Sequence, residues 1–470
     1  MTRSRLGCVQ CKKRKVKCDE LKPTCSRCKK RNILCNYSLK ILFQKKIPIK
    51  PKESEKLYMV PSHIPPSKVP LLPLPNNLLL HPYFKDVINF YIHFTAHYVV
   101  ASKPQIYPEN AFANLLPAHA KKNPALFDAM ASYAISHRSS VLTDENYSQE
   151  IVDALLFRAF KDITDKDTKM SHEAIALTAL TICVQKLFSR NEIEEYNMII
   201  NIAYESFQSL LDLSKSLNNK NYYIISEKEH PDLYFIMTWI AYHEVLAIIS
   251  SISPSTFCVP QRPKLLFENI KIIKHFKIDK FLGFNANFLP FFDKLIPMLR
   301  KVEASTEGVI AIDIIAEARI WEIEFTATYN NTYSQSLLLD ETASDTILQN
   351  SNTIFFHAGL LHLYRRIYHI PRSSETIQEH VRKIKWVYEN IIESASAAEN
   401  CSIFALFIAA CEAINENDRT FFYERFKIQF LGGNLPAGDV LKILDYCWQH
   451  NSTWIDAIKN VGLVSGFYLI

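Results

Sequence analysis

Six cysteines stand near the start of this 470-residue chain, in the spacing C-x2-C-x6-C-x6-C-x2-C-x6-C. The pattern is two copies of one unit, C-x2-C-x6-C, formed by Cys8, Cys11, Cys18, Cys25, Cys28 and Cys35. Two separate tetrahedral zinc ions would need eight ligands, so six thiolates are too few for two independent sites. If two of the six sulfurs bridge, both ions reach four sulfurs. The spacing therefore predicts one cluster of two zinc ions.

Other uses of these cysteines fit the sequence less well. A disulfide framework requires an oxidising compartment and a secretory signal, and residues 1–6 contain no apolar run. A mononuclear zinc finger fails on spacing, because no histidine pair follows and six cysteines are left to place. A metal-storage peptide would not need the basic run that separates two of the ligands. We therefore expect metal ligation at all six positions.

That basic run is Lys12-Lys13-Arg14-Lys15-Val16-Lys17, between the second and third cysteines. Each C-x2-C pair is expected to pin the start of a short helix, with zinc replacing a core too small to fold alone. The five cations of the run are then expected to face away from the metal. Such a helix fits the major groove, where Lys or Arg donates to guanine O6 and N7. A solvated basic face is the simpler alternative, but the metal scaffold fixes this run, which favours contact with double-stranded DNA.

The residues between the ligands resemble the fungal Zn2Cys6 binuclear cluster family. The resemblance rests on residues 8–19 and on Lys22-Pro23-Thr24-Cys25-Ser26-Arg27-Cys28. It implies a gene regulator that binds DNA through a short helix, with Cys8 and Cys25 as the bridging sulfurs and base reading by Arg14 and Lys15, commonly at a CGG triplet. The other cations are expected to contact phosphates or to raise the local potential; they are Lys13, Lys17, Arg27, Lys29, Lys30 and Arg31.

The distribution of charge along the chain also favours DNA binding by the cysteine-rich head. Residues 1–50 hold 16 Lys and Arg and two acids, a net charge of +14, whereas the whole chain carries +6. The remaining residues therefore carry −8 (6 − 14). A basic head on a mildly acidic body is typical of a nucleic-acid module fused to a part that does not itself bind DNA. The same basic cluster could serve import into the nucleus.

A proline-rich linker follows the cysteines. Eight of the 22 prolines of the chain lie between Pro48 and Pro75, which forbids a continuous helix there. Many members of the resembled family dimerise through a coiled coil just after the cluster, but residues 36–81 contain no sustained heptad. Either a homodimer forms through the body, or the protein binds one half-site alone. We expect a cluster domain at 1–40, a linker at 41–80 and a body at 81–470.

The body is predicted to be all α-helical. Apolar residues recur at three- and four-residue spacing, and strand-type alternation does not persist. Good examples of such helical segments are 83–101, 124–137, 151–163, 172–187, 193–213, 233–250, 289–302, 353–370, 377–392 and 440–461. The apolar stretch 233–252 could suggest a membrane span, but His243 and Glu244 near its centre favour a buried helix. We expect no membrane association.

The body lacks the motifs of common enzymes. Its first glycine is Gly283, and the chain has no G-x-G-x-x-G, P-loop or G-x-S-x-G motif. His93 and His97 are four residues apart and could share a metal ion, but the H-E-x-x-H glutamate and a third ligand are missing. We therefore expect no enzymatic activity and no metal site in the body.

The start of the body carries a second resemblance. Residues 90–100, 110–117 and 124–137 resemble the opening of a fungal-specific regulatory domain of transcription factors, a helical type found in regulators of γ-aminobutyrate use, lysine synthesis and sterol uptake. The resemblance implies a regulatory body. Helical bundles commonly bind ligands between facing helices, so a small-molecule effector is one prediction. A body that contacts only other proteins, such as transcriptional co-regulators, is the alternative.

Taken with the basic head, these features predict a nuclear transcription factor that controls RNA polymerase II genes through CGG-type half-sites. The alternative is a DNA-tethering subunit of a chromatin or co-repressor complex without direct activation. Residues 337–348 mix acids with leucines and are either a short activating loop or a plain surface loop.

Overall fold

The computed structural model describes most of the body and part of the cysteine-rich head. The described residues are 10–11, 14–19, 21, 24–31, 33, 82–103, 107–141, 148–165, 167–189, 193–215, 223–250, 266–267, 270–272, 277–305, 310–338, 346–431 and 436–463. The chain divides into two compact units, Met1–Pro70 with His137–Glu150 and Leu71–Ser136 with Ile151–Ile470. The predicted linker and residues 339–345 of the candidate activating segment lie outside the described residues. The domain boundaries at residues 40 and 80 stay a prediction.

The elements follow one another as a long series of helices. In the head, one helix is described, α1 (Ser26–Lys29). In the rest of the chain the elements are α2 (Pro82–Phe90), π1 (Tyr91–Thr95), α3 (Ala96–Tyr98), α4 (Ala111–Ala120), α5 (Pro124–Val141), α6 (Gln149–Thr164), α7 (His172–Ser189), α8 (Ile193–Lys215), β1 (Tyr223–Ile225), α9 (Pro231–Ser250), β2 (Ile270–Ile272), α10 (Phe288–Ala304), α11 (Ile312–Leu338), α12 (Thr346–His362), π2 (Leu363–Ile367), α13 (Glu375–Asn390), α14 (Ala397–Cys401), α15 (Ile403–Glu412), α16 (Glu416–Leu431), α17 (Pro436–His450) and α18 (Trp454–Asn460).

The prediction of a mostly α fold is confirmed, with one small addition. The strands β1 and β2 pair in parallel, with Tyr223 opposite Ile270 and Ile225 opposite Ile272. The sequence predicted no strand. Three-residue strands are too short to show the period-two alternation on which that prediction rested.

Helices with one apolar stripe agree best with the sequence. In α13, Ile377, Val381, Ile384 and Tyr388 are buried at spacings of four, three and four residues, and Ser374 precedes the helix in an extended conformation. Segment 440–461 was predicted as one helix and is instead two, α17 and α18. They separate at Asn451, whose φ of 47° is left-handed and ends the first helix. Segments 83–101 and 353–370 each include a π-helical turn, and α4, α11, α14, α15 and α16 lie outside the segments named from the sequence.

Phenylalanine rings form the centre of the larger unit. The ring of Phe325 on α11 lies 4.7 Å from that of Phe288 and 5.8 Å from that of Phe292, both on α10. Gly359 of α12 faces the same rings, and a Cβ at this position would lie 2.9 Å from ring carbons of Phe292 and Phe325. Glycine is therefore needed at this position because the three helices approach closely.

The stretch that could suggest a membrane span forms α9. Its side chains Ile236, Trp239, Ile240 and Leu246 are buried in the main core cluster, in agreement with the expectation from the sequence. In the described part of the chain, no helix is both long enough and apolar enough to cross a bilayer.

Candidate metal centre and nucleic-acid interface

Four of the six cysteines are described, and their side chains are buried together. They are Cys11, Cys18, Cys25 and Cys28; Cys8 and Cys35 lie outside the described residues. The Sγ atoms of Cys11 and Cys25 are 3.6 Å apart. A tetrahedral zinc ion with Zn–S bonds of about 2.3 Å separates its sulfurs by about 3.8 Å. The spacing of these two sulfurs thus fits two ligands of one zinc ion.

Cys25 belongs to two groups of metal-ligating atoms. Its sulfur lies within 4.8 Å of those of Cys11 and Cys28, and likewise within 4.8 Å of Cys18 and the carboxylate of Asp19. Burial raises the pKa of the Cys25 thiol, but hydrogen bonds from Cys28 and from neighbouring thiols outweigh it and lower the pKa to about 6. A sulfur shared between two groups and readily deprotonated suits a cluster in which two ions share ligands.

The second C-x2-C pair also starts helix α1. Cys25 is the N-cap residue, with φ −65° and ψ 148°, and its sulfur accepts the N–H of Cys28 at 3.4 Å. The Cys25 sulfur thus accepts the hydrogen bond that a side-chain oxygen usually accepts at the N-cap of a helix. Within α1, Lys29 N–H donates to the Cys25 carbonyl at 2.9 Å. One side chain therefore both belongs to the buried group of thiols and fixes the start of the helix.

Asp19 links the two halves of the cysteine pattern. Its two carboxylate oxygens lie 3.2 Å and 3.1 Å from the backbone nitrogen of Ser26, the first residue of α1. Hydrogen bonds from Ser26 lower the pKa of the Asp19 carboxyl. A carboxylate at a helix N-terminus is also favoured by the helix dipole. The end of the first unit is thereby tied to the helix of the second.

The first unit forms a short helical turn that ends at Lys15. Arg14 N–H donates to the Gln10 carbonyl at 3.2 Å, and Val16 N–H donates to the Cys11 carbonyl at 3.0 Å. Lys15 has a φ of 57°, in the left-handed region that non-glycine residues seldom occupy. The backbone therefore turns at Lys15, and Val16 packs against the cysteines.

Most of the expected DNA-contacting cations are exposed. They are Lys15, Lys17, Arg27, Lys29, Lys30 and Arg31, whereas Lys12 and Lys13 lie outside the described residues. Arg14 departs from the expectation that the run faces outward. Its Nη2 lies 3.6 Å from the Cys28 sulfur and 3.9 Å from the Cys11 sulfur, and its Nε donates to the Gln10 carbonyl at 3.1 Å. A thiolate is negatively charged, so a guanidinium beside cysteine sulfurs makes a charge-assisted contact with them.

The histidine pair of the body is not placed for metal binding. His93 lies in π1, and His97 is 3.3 Å from the amide nitrogen of Asn110 through its Nδ1. Burial, followed by repulsion from His93, lowers the pKa of His97. Among the residues that the structure describes, neither histidine belongs to a group of three metal-ligating side chains.

A different group of three titratable side chains was not predicted. His119 Nε2 lies 3.4 Å from the carboxylate of Asp232 and 3.9 Å from that of Glu173. The three residues stand at the ends of α4, α9 and α7. Burial is the main cause that raises the pKa of Glu173. The arrangement places an imidazole beside two carboxyl groups. Wide separation along the chain left no motif by which the sequence could reveal it.

Comparison with known families assigns both parts of the chain. Residues 6–42 match the fungal Zn(2)-Cys(6) binuclear cluster domain, and residues 86–464 match the fungal specific transcription factor domain. No curated protein and no solved structure matches the chain. The second match spans most of the sequence, and the first explains the shared sulfurs and the exposed cations. The chain belongs to the fungal specific transcription factor domain family, and it is a DNA-binding transcription regulator whose cluster domain binds two zinc ions.

Proposed function

We propose that this protein binds CGG-type half-sites and regulates genes transcribed by RNA polymerase II in the nucleus. The observation that carries the proposal is the arrangement of six exposed cations around a buried group of thiols. A basic surface on a rigid scaffold supplies phosphate contacts, and a few side chains at base edges supply specificity. Both matched families are those of transcription factors, so a non-catalytic role is part of the proposal.

The zinc ligands in this proposal are all six cysteines of the repeated unit. Cys8 and Cys25 are the bridging sulfurs, and the place of Cys25 in two ligand groups supports its share of this role. Cys11, Cys18, Cys28 and Cys35 each bind one ion. Shared ligands tie both ions to one fold, so the two zinc sites should form and fail together.

We assign base reading to Lys15 and a positioning role to Arg14. Lys15 is exposed at the left-handed turn that ends the first helical segment, next to Val16, which packs against the cysteines. The Arg14 guanidinium is directed at the cluster sulfurs through Nη2, and its Nε donates to the Gln10 carbonyl, which supports a positioning role. Lys29, Lys30 and Arg31 follow the start of α1 and serve the phosphate backbone.

The test compares Lys15→Ala with Lys30→Ala in the full-length protein. Lys15→Ala should weaken binding to a CGG-containing duplex by about 1–3 kcal/mol, with little loss on a scrambled duplex. Lys30→Ala should weaken both about equally and reduce the salt slope by about one. Arg14→Ala should instead lose zinc to a chelator faster than the wild type. Equal effects of the two lysine variants on both duplexes would remove the reading role of Lys15.

The role of the body is tested separately, by fusing the full-length protein to a neutral DNA-binding domain in a reporter strain. Changed transcription supports a regulator that acts directly. An unchanged reporter, together with intact DNA binding, would favour the DNA-tethering subunit of a chromatin or co-repressor complex. Contact with co-regulators and binding of a small-molecule effector stay predictions. An effector should raise the melting temperature of the protein with increasing dose, because it binds the native state.

A further inference from the structure

Three helices of the larger unit bring one imidazole and two carboxyl groups together at their ends. His119 is the last residue but one of α4, whereas Glu173 and Asp232 are the second residues of α7 and α9. His119 Nε2 lies 3.4 Å from the Asp232 carboxylate and 3.9 Å from that of Glu173. One donor atom of each side chain lies within 4.8 Å of those of the other two. The group is therefore compact enough for one small cation to reach all three side chains.

The separations of these donor atoms match those around a zinc ion. Zinc bonds to imidazole nitrogen and carboxylate oxygen are about 2.0–2.2 Å long, so a tetrahedral ion separates its ligand atoms by about 3.3–3.6 Å. The distance from His119 to Asp232 falls in this range, and a small rotation of the partly exposed Glu173 side chain brings the other distance into it. The imidazole also selects the metal, because magnesium and calcium prefer oxygen ligands, whereas zinc accepts nitrogen together with oxygen.

The two carboxyl groups require positive charge beside them. Burial is the largest cause that raises the pKa of the Glu173 carboxyl; His119 opposes the shift, and the neighbouring Asp232 adds to it. Both acids also lie in the first turns of their helices, where the helix dipole favours an ionised carboxylate. Two ionised carboxylates at this distance repel each other. A divalent cation between them removes the repulsion.

The surroundings distinguish the group from an acidic surface patch. The side chains of His119 and Glu173 are 22 % and 30 % exposed, so the group is shielded in part but open to an ion from solvent. His172 directly precedes Glu173, His230 is two residues before Asp232, and both histidines are exposed. Three of the 15 histidines of the chain thus stand at these three helix ends. Imidazole together with carboxylate is a ligand set that suits zinc.

Hydrogen bonds hold two of the three ligands in place. The His119 carbonyl accepts from Asn123 twice, from the backbone N–H at 3.1 Å and from the side-chain Nδ2 at 2.8 Å. At the start of α7, the Ala174 N–H donates to Ser171 Oγ at 3.2 Å, which caps the turn that carries Glu173. The ligands therefore stand on helix ends that are fixed before any ion arrives, as a binding site requires.

We propose that His119, Glu173 and Asp232 bind one zinc ion, separate from the two ions of the cysteine cluster. Three protein ligands with water in the fourth position form an open site. Partial exposure and the positive ends of two helix dipoles make this ion exchangeable, so protein dialysed free of unbound zinc keeps only the two cluster ions. From the sequence we expected no metal site in the body, because these ligands come from three distant segments. The ion joins the ends of α4, α7 and α9, so its binding stabilises the body.

Equilibrium dialysis of the full-length protein against buffered zinc tests the proposal. The wild type, with its two cluster ions, should take up one further zinc ion as the free concentration rises. His119→Ala should bind this ion at least about tenfold more weakly and keep the cluster ions, since even loss of a group that supports a ligand costs about 10–100-fold. His450→Ala is the matched control, because His450 is exposed at the end of α17 and lies outside the group. A wild type that stops at two ions, or a third ion that His119→Ala binds equally well, overturns the proposal.

Thermal unfolding separates a zinc site from simple ion pairing. Added zinc should raise the melting temperature of the wild type with increasing dose, because the ion binds the native state. The shift should be absent in His119→Ala and in Asp232→Asn, a second variant that keeps the size of the side chain. Magnesium at the same concentration should cause no shift, because its preferred ligands are oxygen atoms. Equal shifts with magnesium, or a zinc-dependent shift that both variants retain, would show that the three side chains form ion pairs and no zinc site.

Discussion

Glu412→Gln should cause a large loss of stability in the helical body. Glu412 is the last residue of α15, and its side chain is 3 % exposed. Its carboxylate lies 2.7 Å from the Nε of Arg365, in π2, and 3.3 Å from the Nε of Arg372. One buried carboxylate therefore balances the positive charges of two guanidinium groups that are largely shielded from bulk water.

The magnitude follows from the charges that remain. Glutamine keeps the size and the hydrogen-bonding oxygen but removes the charge, so two like charges are left close together. Breaking a buried ion pair by removing one partner costs about 3–5 kcal/mol. The Arg365 side chain is 17 % exposed and that of Arg372 is 7 % exposed, so some solvation remains. We expect a loss of about 3 kcal/mol for Glu412→Gln.

Glu424→Gln provides the matched control. Glu424 is 2.9 Å from Lys427 one turn along α16, and about half of each side chain is exposed. Such a surface pair contributes about 0.5 kcal/mol or less. Urea unfolding can be followed by tryptophan fluorescence, because all five tryptophans lie in the body. If the two variants differ by less than about 1 kcal/mol, then the two arginines do not depend on the Glu412 charge and the reasoning is wrong.

Three other changes have expected outcomes. Gly359→Ala should gain helix propensity worth about 1 kcal/mol but lose about 1–3 kcal/mol to overpacking against Phe292 and Phe325, a net loss in urea unfolding. On acidification the body should lose stability, since burial lowers the pKa of His243 to about 3 and that of His380 to about 4. The contribution of these histidines to the free energy of unfolding is complete above about pH 6.5. Below that pH the free energy of unfolding falls by about 1.4 kcal/mol per histidine and pH unit. A tryptophan fluorescence signal at fixed urea that stays constant from pH 7 to pH 4 would contradict this. Lys15→Gly should leave zinc content unchanged while lowering CGG affinity, as measured by metal analysis and by titration of labelled duplex.

The cluster was predicted from its sequence better than any other part of the protein. Cysteine spacing restricts the ligands strongly, and the described cysteines lie together as expected. The orientation of Arg14 could not be read from the basic run, because it depends on the position of the Cys28 sulfur, 14 residues away. Neither could the sequence reveal the contacts of His119, whose partners come from two distant helices.

In the body, how well a helix could be predicted from the sequence depended on how many of its faces are buried. α13 has one apolar stripe, and its prediction at 377–392 agrees closely with the structure. α15 is buried on every side, so its residues show no hydrophobic periodicity, and the sequence did not single it out. α11 was not singled out for the opposite reason, because Ile312, Ile320 and Ile323 are exposed opposite its buried face and cancel the periodic signal of that face. Hydrophobic periodicity therefore does not indicate a helix that is buried on all sides, or one whose exposed face is itself apolar.

The dependence of DNA binding on zinc tests the central claim most directly. The affinity of the full-length protein for a CGG-containing duplex and for a scrambled duplex should be measured with zinc bound, after removal of zinc by a chelator, and after zinc is restored. We expect two zinc ions per chain in the first state, loss of the preference for CGG in the second, and its recovery in the third. A single zinc ion per chain, or a preference for CGG that persists without zinc, would contradict the account.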